Sequence, residues 1–126
     1  MQVSVDLSVL MTQEEWEGCQ EDMPQKLRDA GFTPVNIFAT VVAPSAPKDS
    51  PLAQEYAFSN GTAAEGTPLW RGIVNGDTAA ALPSVAPVVA ECLPPTAAWL
   101  GSTEIGHTEF AWSAEPVWSA ESSEEI

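Results

Sequence analysis

The sequence is poor in positive charge. Two Lys and two Arg stand against eighteen Asp and Glu, which gives a formal net charge of -14. Nucleic acid and anionic membranes recruit proteins through basic surfaces that four cations do not form, so both are excluded as direct partners. A basic protein is the favoured partner. The alternative is that the charge serves solubility only, or reflects a salt-rich cell in which acidic surfaces are screened.

Motifs for catalysis and metal binding are also missing. The single histidine, His107, excludes a zinc site built on paired histidines and leaves one imidazole for acid–base chemistry. There is no Gly-x-Ser-x-Gly elbow, no phosphate loop that ends in Gly-Lys-Ser or Gly-Lys-Thr, and no His-Glu-x-x-His. Residues 75–77 are too short for a calcium loop. We therefore expect no catalytic residue, no metal and no cofactor.

Cysteines and long apolar runs are scarce as well. Cys19 and Cys92 are far apart and have apolar neighbours, which favours two buried thiols over a disulfide. No stretch approaches the roughly 18 apolar residues that a membrane span needs, and no basic region followed by an apolar run stands at the N-terminus. We expect a cytoplasmic protein, in the host cytoplasm if a phage encodes it.

The length and the aromatic content indicate a folded domain. The chain has 126 residues, near the commonest domain size, and it contains five Trp and four Phe, which disordered chains tend to lack. We expect one domain over residues 1–121. Residues 122–126 are polar and acidic, and we expect them to be a disordered end.

The first third of the chain has the pattern of a strand, a helix and a second strand. Residues 2–11 alternate apolar and polar side chains, as a half-buried strand does. Thr12 and Glu15 have the spacing of a capping box, which predicts the start of a helix. A stripe at helical spacing follows and consists of Trp16, Cys19, Met23, Leu27 and Ala30. Pro24 interrupts it, so either one helix kinks or a second begins with Asp22 as its cap.

The middle of the chain is predicted as strands, turns and one helix. Residues 35–42 have the uncharged, β-branched composition of a buried strand, and residues 52–58 alternate as a third strand that pairs with them in a hairpin. Asn75-Gly76 predicts a turn at the end of a short strand. Ser84 is expected to cap a helix that carries Pro87 in its first turn.

A short repeat stands near the C-terminus. Residues 112–115 and 118–121 both read Trp-Ser-Ala-Glu, inside a segment that alternates over residues 108–120. This period predicts an extended strand with both tryptophans on one side, and Pro116 confines the strand to the edge of a sheet. The tryptophans are predicted to pack in the core, or, in the case of Trp118, to anchor a partner.

Together these elements predict an α+β fold with a mainly antiparallel sheet and helices on one face. The leading interpretation is a ferredoxin-like topology, because two strand–helix units, the first followed by a hairpin, suit it.

The predicted first helix carries an acidic row. Glu14, Glu17 and Glu21 are spaced three and four residues apart, away from the Trp16 stripe. They step about 4.5 and 6 Å along the axis, comparable to the interval of charge along a nucleic-acid backbone. The alternative is a solvated face whose acids favour the helix N-terminus. The predicted partner-binding residues are Glu14, Glu17, Glu21, Glu109, Glu115, Trp118 and Glu121.

Three functional hypotheses follow. The first is a non-enzymatic inhibitor or adaptor that occupies the basic groove of a nucleic-acid-binding protein, as DNA-mimicking anti-defence proteins of phages do. The second is a structural or virion assembly protein whose edge strand over residues 108–120 pairs with another subunit. The third is a small enzyme centred on His107, which lies between Glu104 and Glu109.

Overall fold

The computed structural model describes residues 1–46, 49–61, 66–106 and 116–120. In these ranges four helices and five strands follow one another along the chain. They are β1 (Gln2–Leu10), α1 (Gln13–Gln20), α2 (Met23–Asp29), β2 (Phe32–Ala43), α3 (Pro51–Asn60), β3 (Leu69–Thr78), α4 (Leu82–Ala90), β4 (Ala98–Ile105) and β5 (Trp118–Ser119). The strands form one antiparallel sheet in the order β4-β1-β3-β2-β5.

The alternation of β1 divides its side chains between the two faces of the sheet. Val3 and Val5 point into the main core, which is completed by apolar side chains of α1, α2 and α4. Leu10 belongs to the other face, where it packs with Leu52 and Tyr56 of α3. Three helices therefore cover one face, as the sequence predicts, whereas α3 packs against one end of the opposite face.

The first helix begins where the capping box predicts. Thr12 Oγ1 accepts a hydrogen bond from the Glu15 backbone N–H at 3.1 Å, and Glu15 Oε1 accepts one from the Thr12 N–H at 2.9 Å. Of the two alternatives at Pro24, the second helix is observed: α2 has Asp22 at its N-cap position and Pro24 in its first turn. The stripe is buried at Trp16, Cys19, Met23 and Leu27, and ends before the exposed Ala30.

The predicted third strand over residues 52–58 is wrong, because this segment is helix α3. Ser50 Oγ accepts from the Ala53 N–H at 3.1 Å, Pro51 takes the first position, and Gly61 ends the helix with a φ of 70°. Leu52 and Tyr56 are two strand periods apart but also one helical turn apart, so the apolar pattern fits both structures. The capping residues identify the segment as a helix, since each satisfies backbone groups that are left without intrahelical partners at a helix end. The predicted hairpin is absent, and β2 pairs with β3 instead.

The turn predicted at Asn75-Gly76 is also wrong. Both residues lie inside β3, between β1 and β2. Asn75 is fully buried, and its Nδ2 donates to Asn36 Oδ1 at 2.9 Å. A Cβ atom at Gly76 would lie 2.5 Å from the Thr33 carbonyl oxygen. The close approach of β2, rather than a turn, is what requires a glycine at this position.

Helix α4 forms, but its start differs from the prediction. Ala81 occupies the N-cap position, and Ser84 and Pro87 lie inside the helix. The helix buries Val85 and Val89 in the main core. It is followed by Cys92, which is buried and unbridged like Cys19, so the prediction of two buried thiols is confirmed.

The α+β class is confirmed, while the ferredoxin-like topology and the single domain over residues 1–121 stay predictions. Of the predicted strand over residues 108–120, the structure describes residues 116–120, where β5 pairs with Asn36 and Ile37 at the edge of the sheet. Residues 107–115 and the predicted disordered end at 122–126 lie outside the described residues.

Candidate protein-binding surfaces

The acidic row of α1 is displayed to solvent. Glu14 and Glu17 of α1 and Glu21, the residue at its C-cap, are all exposed, on the side of the helix opposite the buried Trp16 and Cys19. Glu17 Oε1 accepts a hydrogen bond from Gln13 Nε2 at 3.1 Å, which orients this carboxylate along the exposed side. We call these three residues the α1 acidic row. It has the arrangement that the helical spacing predicts.

Glu15 also belongs to α1 but is not part of the α1 acidic row. Its side chain is half-buried, and one carboxylate oxygen accepts from the Thr12 backbone N–H as part of the capping box. The other oxygen accepts from the Thr96 hydroxyl, which holds the start of α1 against the segment before β4. Its hydrogen-bonding capacity is therefore used inside the fold.

The cationic side chains of the described ranges belong to α2 and β3. Lys26 and Arg28 belong to the last turn of α2, and Arg71 of β3 donates to Asp6 Oδ2 at 2.8 Å. This contact raises the pKa of the Arg71 guanidinium, because the bond favours its charged form. The N-terminal ammonium pairs with Asp77 at 2.8 Å. Within the described ranges, no ion pair involves a carboxylate of the α1 acidic row.

Trp118 is half-buried and packs against the main core. The guanidinium carbon of Arg28 lies 5.6 Å from the centre of its ring, within the range of a cation–π interaction. The core-packing alternative is therefore the one that these contacts favour, and a role as partner anchor stays a prediction. The remaining predicted partner-binding residues, Glu109, Glu115 and Glu121, lie outside the described residues, as does His107.

The two thiols share one electrostatic environment. Burial raises the pKa of both Cys19 and Cys92, because it penalises the thiolate. The ammonium of Lys26 is close enough to both to oppose this rise, and Cys92 is close enough to raise the pKa of Cys19 further. Thiols whose pKa is raised in this way are weak nucleophiles, so the geometry gives no support to a catalytic cysteine.

The second candidate surface is the outer edge of β4, which the sequence patterns do not predict. Gly106 N–H donates to the Gln2 carbonyl at 2.8 Å, and the register aligns Ser4 with Glu104. In an antiparallel pair, hydrogen-bonded residues alternate with residues whose backbone groups point away from the partner. The N–H and C=O groups that point away from β1 are those of Trp99, Gly101, Thr103 and Ile105. We call this row of groups the β4 edge.

Two open grooves flank the β4 edge, one on each face of the sheet. The first lies between α4 and β4, has a volume of about 400 Å³, and is lined by Leu82, Pro83, Ala86, Pro87, Trp99, Gly101, Ser102 and Thr103. The second lies between α3 and β4, has a volume of about 410 Å³, and is lined by Pro51, Leu52, Glu55, Ser59, Ala97, Ala98, Trp99 and Leu100. Both grooves are mixed in character, with more apolar than charged lining residues.

The sequence contains weak signals for this strand. Pro94-Pro95 follows the end of the preceding helix, and Gly106, with a φ of 104°, is a bend directly after β4. Between them, however, Gly101 and Ser102 interrupt any clear alternation of apolar and polar residues. The pairing of β4 with β1, about a hundred residues earlier in the chain, becomes visible only in the structure.

Two further kinds of feature, a metal site and a membrane-spanning helix, are not found in the described part of the chain. There, no three His, Cys, Asp or Glu side chains come together as metal ligands. No helix of the described ranges has the length and apolar character needed to cross a membrane. Comparison with models of protein families, with curated proteins and with solved structures finds no match.

Proposed function

We propose that this chain is a non-enzymatic module that binds a basic protein through an acidic surface. The observation that supports the proposal is the α1 acidic row, three exposed carboxylates on one side of a helix. Their spacing along the axis is comparable to the spacing of charge on a nucleic-acid backbone. The expected class of partner is therefore a nucleic-acid-binding protein, and occupation of its basic groove would inhibit it.

Electrostatics favours such a complex. Glu17 and Glu21 are four residues apart, and a like-charge pair at this spacing destabilises a helix by about 0.2–0.5 kcal/mol. A cationic surface placed over the row removes this repulsion. The overall charge of -14 adds a long-range attraction that accelerates encounter at low ionic strength and is screened beyond about 10 Å at 0.1 M salt.

A direct binding measurement tests the proposal. Purified basic DNA-binding domains are titrated with the full chain at low salt, with duplex DNA as competitor. We expect binding that weakens steeply as salt rises and that DNA competes away. The variant Glu14→Gln/Glu17→Gln/Glu21→Gln should bind about tenfold more weakly, since three charge contacts of about 0.2–1 kcal/mol each are lost.

A matched control variant distinguishes the effect of the α1 acidic row on binding from the effect of net charge. The variant Asp29→Asn/Asp49→Asn/Glu91→Gln removes the same number of exposed charges at other positions. It should retain most of the affinity. If the two triple variants weaken binding equally, net charge alone governs the interaction and the α1 acidic row is not the binding surface.

A second candidate function is that of a subunit in an assembly joined through an edge strand. The β4 edge favours it, because an edge whose backbone groups have no strand partner among the described residues is a template for pairing with another chain. Strand pairing and apolar contacts depend little on salt, in contrast to charge-led binding. Sedimentation of the purified chain at low and high salt distinguishes the two: an assembly subunit associates with itself at both.

A further inference from the structure

Most of the features that normally block an edge strand are absent from β4 itself. Natural edges are protected by lysine, proline, bulges or very short strands. β4 spans eight residues, contains neither lysine nor proline, and pairs with β1 without a register shift. Its single charged residue is Glu104. The strand is therefore competent to accept a further strand.

The surroundings of β4 provide room for the side chains of such a strand. Successive side chains of an added strand point to opposite faces of the sheet. On one face they enter the groove between α4 and β4, whose walls are Leu82, Ala86 and Trp99. Thr103 Oγ1 is buried at this groove and has no hydrogen-bond partner among the described residues. On the other face they meet the groove beside α3.

Exposed apolar side chains mark the same strand. Leu100 is 55% exposed and Ile105 is 69% exposed, and they lie on opposite faces of the strand. An added strand that covers them gains from the burial of apolar area as well as from backbone hydrogen bonds.

The negative charge of β4 and of the groove between α3 and β4 favours a cationic partner. Glu104 is exposed on β4, and Glu55 of α3 lines the groove on the same face of the sheet. Within the described ranges neither is in an ion pair. Of the described cations, Arg28 and Lys26 belong to α2, which packs on the opposite face of the sheet. Arg71 of β3 lies on the same face as Glu104, beside Leu100 and Ser102, and its guanidinium is bonded to Asp6. A cationic side chain is what complements this face of β4.

We propose that the β4 edge binds an extended segment of a basic partner protein as an added strand. Apolar side chains of the segment occupy the α4 groove, and the alternate lysine or arginine side chains face Glu55 and Glu104. This inference rests on the proposed function, since it takes the partner to be basic, and it adds the mode of binding and the sequence pattern of the bound segment.

The test uses the full chain and a short labelled peptide in which lysine and valine alternate. Binding is followed by fluorescence anisotropy at low salt. A second peptide has the same sequence but N-methyl groups on the backbone nitrogens of successive residues, so it keeps its charge and neither of its edges can donate backbone hydrogen bonds to β4. We expect the N-methylated peptide to bind at least about tenfold more weakly, because each lost hydrogen bond is worth about 0.5–1.5 kcal/mol.

Substitutions in β4 provide the reciprocal test. Thr103→Pro removes a backbone N–H that points away from β1, so the pairing of β1 with β4 is left intact. It should weaken binding of the unmodified peptide about tenfold, whereas Thr103→Val, which keeps the N–H, should not. Far-ultraviolet circular dichroism checks the fold of both variants, and the peptide comparison on the unsubstituted chain does not depend on them.

The outcomes separate this inference from the proposed function. If both peptides bind equally, and binding is lost in the triple variant of the α1 acidic row, charge-led binding stands and strand addition is overturned. If neither peptide binds at low salt, strand addition is overturned, while the proposed function is decided by the titration with basic DNA-binding domains. If the chain alone forms a dimer that Thr103→Pro disrupts, a second copy occupies the β4 edge and the inference is also overturned.

Discussion

The guanidinium carbon of Arg28 lies 5.6 Å from the centre of the Trp118 ring. Arg28 belongs to the last turn of α2, and Trp118 belongs to β5 at the edge of the sheet. The contact therefore joins the helix layer to a strand that, within the described residues, pairs with β2 at Asn36 and Ile37.

We predict that this contact couples the two elements energetically. In a double-mutant cycle of Arg28→Met and Trp118→Leu, the coupling energy should be about 0.5–1 kcal/mol, measured by urea unfolding. The double-mutant cycle subtracts the separate stabilising effect that a cation has on the helix near the C-terminal end of α2. The same cycle with Lys26→Met should give no coupling. Additive effects of Arg28→Met and Trp118→Leu would show that the ring and the guanidinium do not interact.

The capping box at the start of α1 gives a second prediction. Thr12→Ala removes the oxygen that accepts from the Glu15 N–H and should lower the free energy of unfolding by about 1 kcal/mol. Thr12→Ser keeps that oxygen and should lose much less. Chemical denaturation of both variants is the measurement, and an equal loss in both would mean that the methyl group matters rather than the cap.

Two glycines of β3 differ in the space beside them. A Cβ at Gly76 would overlap the Phe32 ring and lie 2.5 Å from the Thr33 carbonyl oxygen, so Gly76→Ala should destabilise the fold by about 1–3 kcal/mol. At Gly72 the nearest atom is the Phe38 carbonyl oxygen at 3.5 Å, an ordinary contact. Gly72→Ala should therefore change stability by less than about 1 kcal/mol. Thermal unfolding compares the two variants, and similar losses would contradict the close approach of β2 at Gly76.

The thiols predict a dependence of stability on alkaline pH. Burial raises the pKa of Cys19 and Cys92 in the native state, so the native state keeps these protons at a pH where the unfolded chain has released them. Their contribution to the free energy of unfolding is complete below about pH 8.5, the ordinary pKa of a thiol, and decreases as pH rises above it. Urea unfolding between neutral and alkaline pH measures this.

The variant Cys19→Ala/Cys92→Ala is the control for that prediction. It retains the tyrosine and lysines, which also titrate in alkali, and lacks only the thiols. Its free energy of unfolding should fall less steeply with pH than that of the unsubstituted chain. Identical slopes would mean that the thiols ionise as readily in the native state as in the unfolded chain.

Residues 52–58 show the limit of what a local apolar pattern can predict. Leu52 and Tyr56 lie on one side of a strand and on one side of a helix alike, and the alternation between them favoured the strand. The better signals were the caps, Ser50 followed by Pro51 at one end and Gly61 at the other. Local chemistry at the ends of an element was more informative here than the apolar period within it.

What the sequence determined by itself is local: the alternation of β1, the capping box of α1, the buried stripe that begins at Trp16, and the exposed side on which the α1 acidic row lies. Each depends on residues within one or two turns, where the periods of strand and helix fix the geometry. The tertiary structure alone decided that Asn75 and Gly76 lie inside a sheet and that β4 is its edge. Those outcomes depend on which distant strands pair. Strands pair through backbone N–H and C=O groups, which nearly every residue has, so the sequence alone does not specify the partner strand.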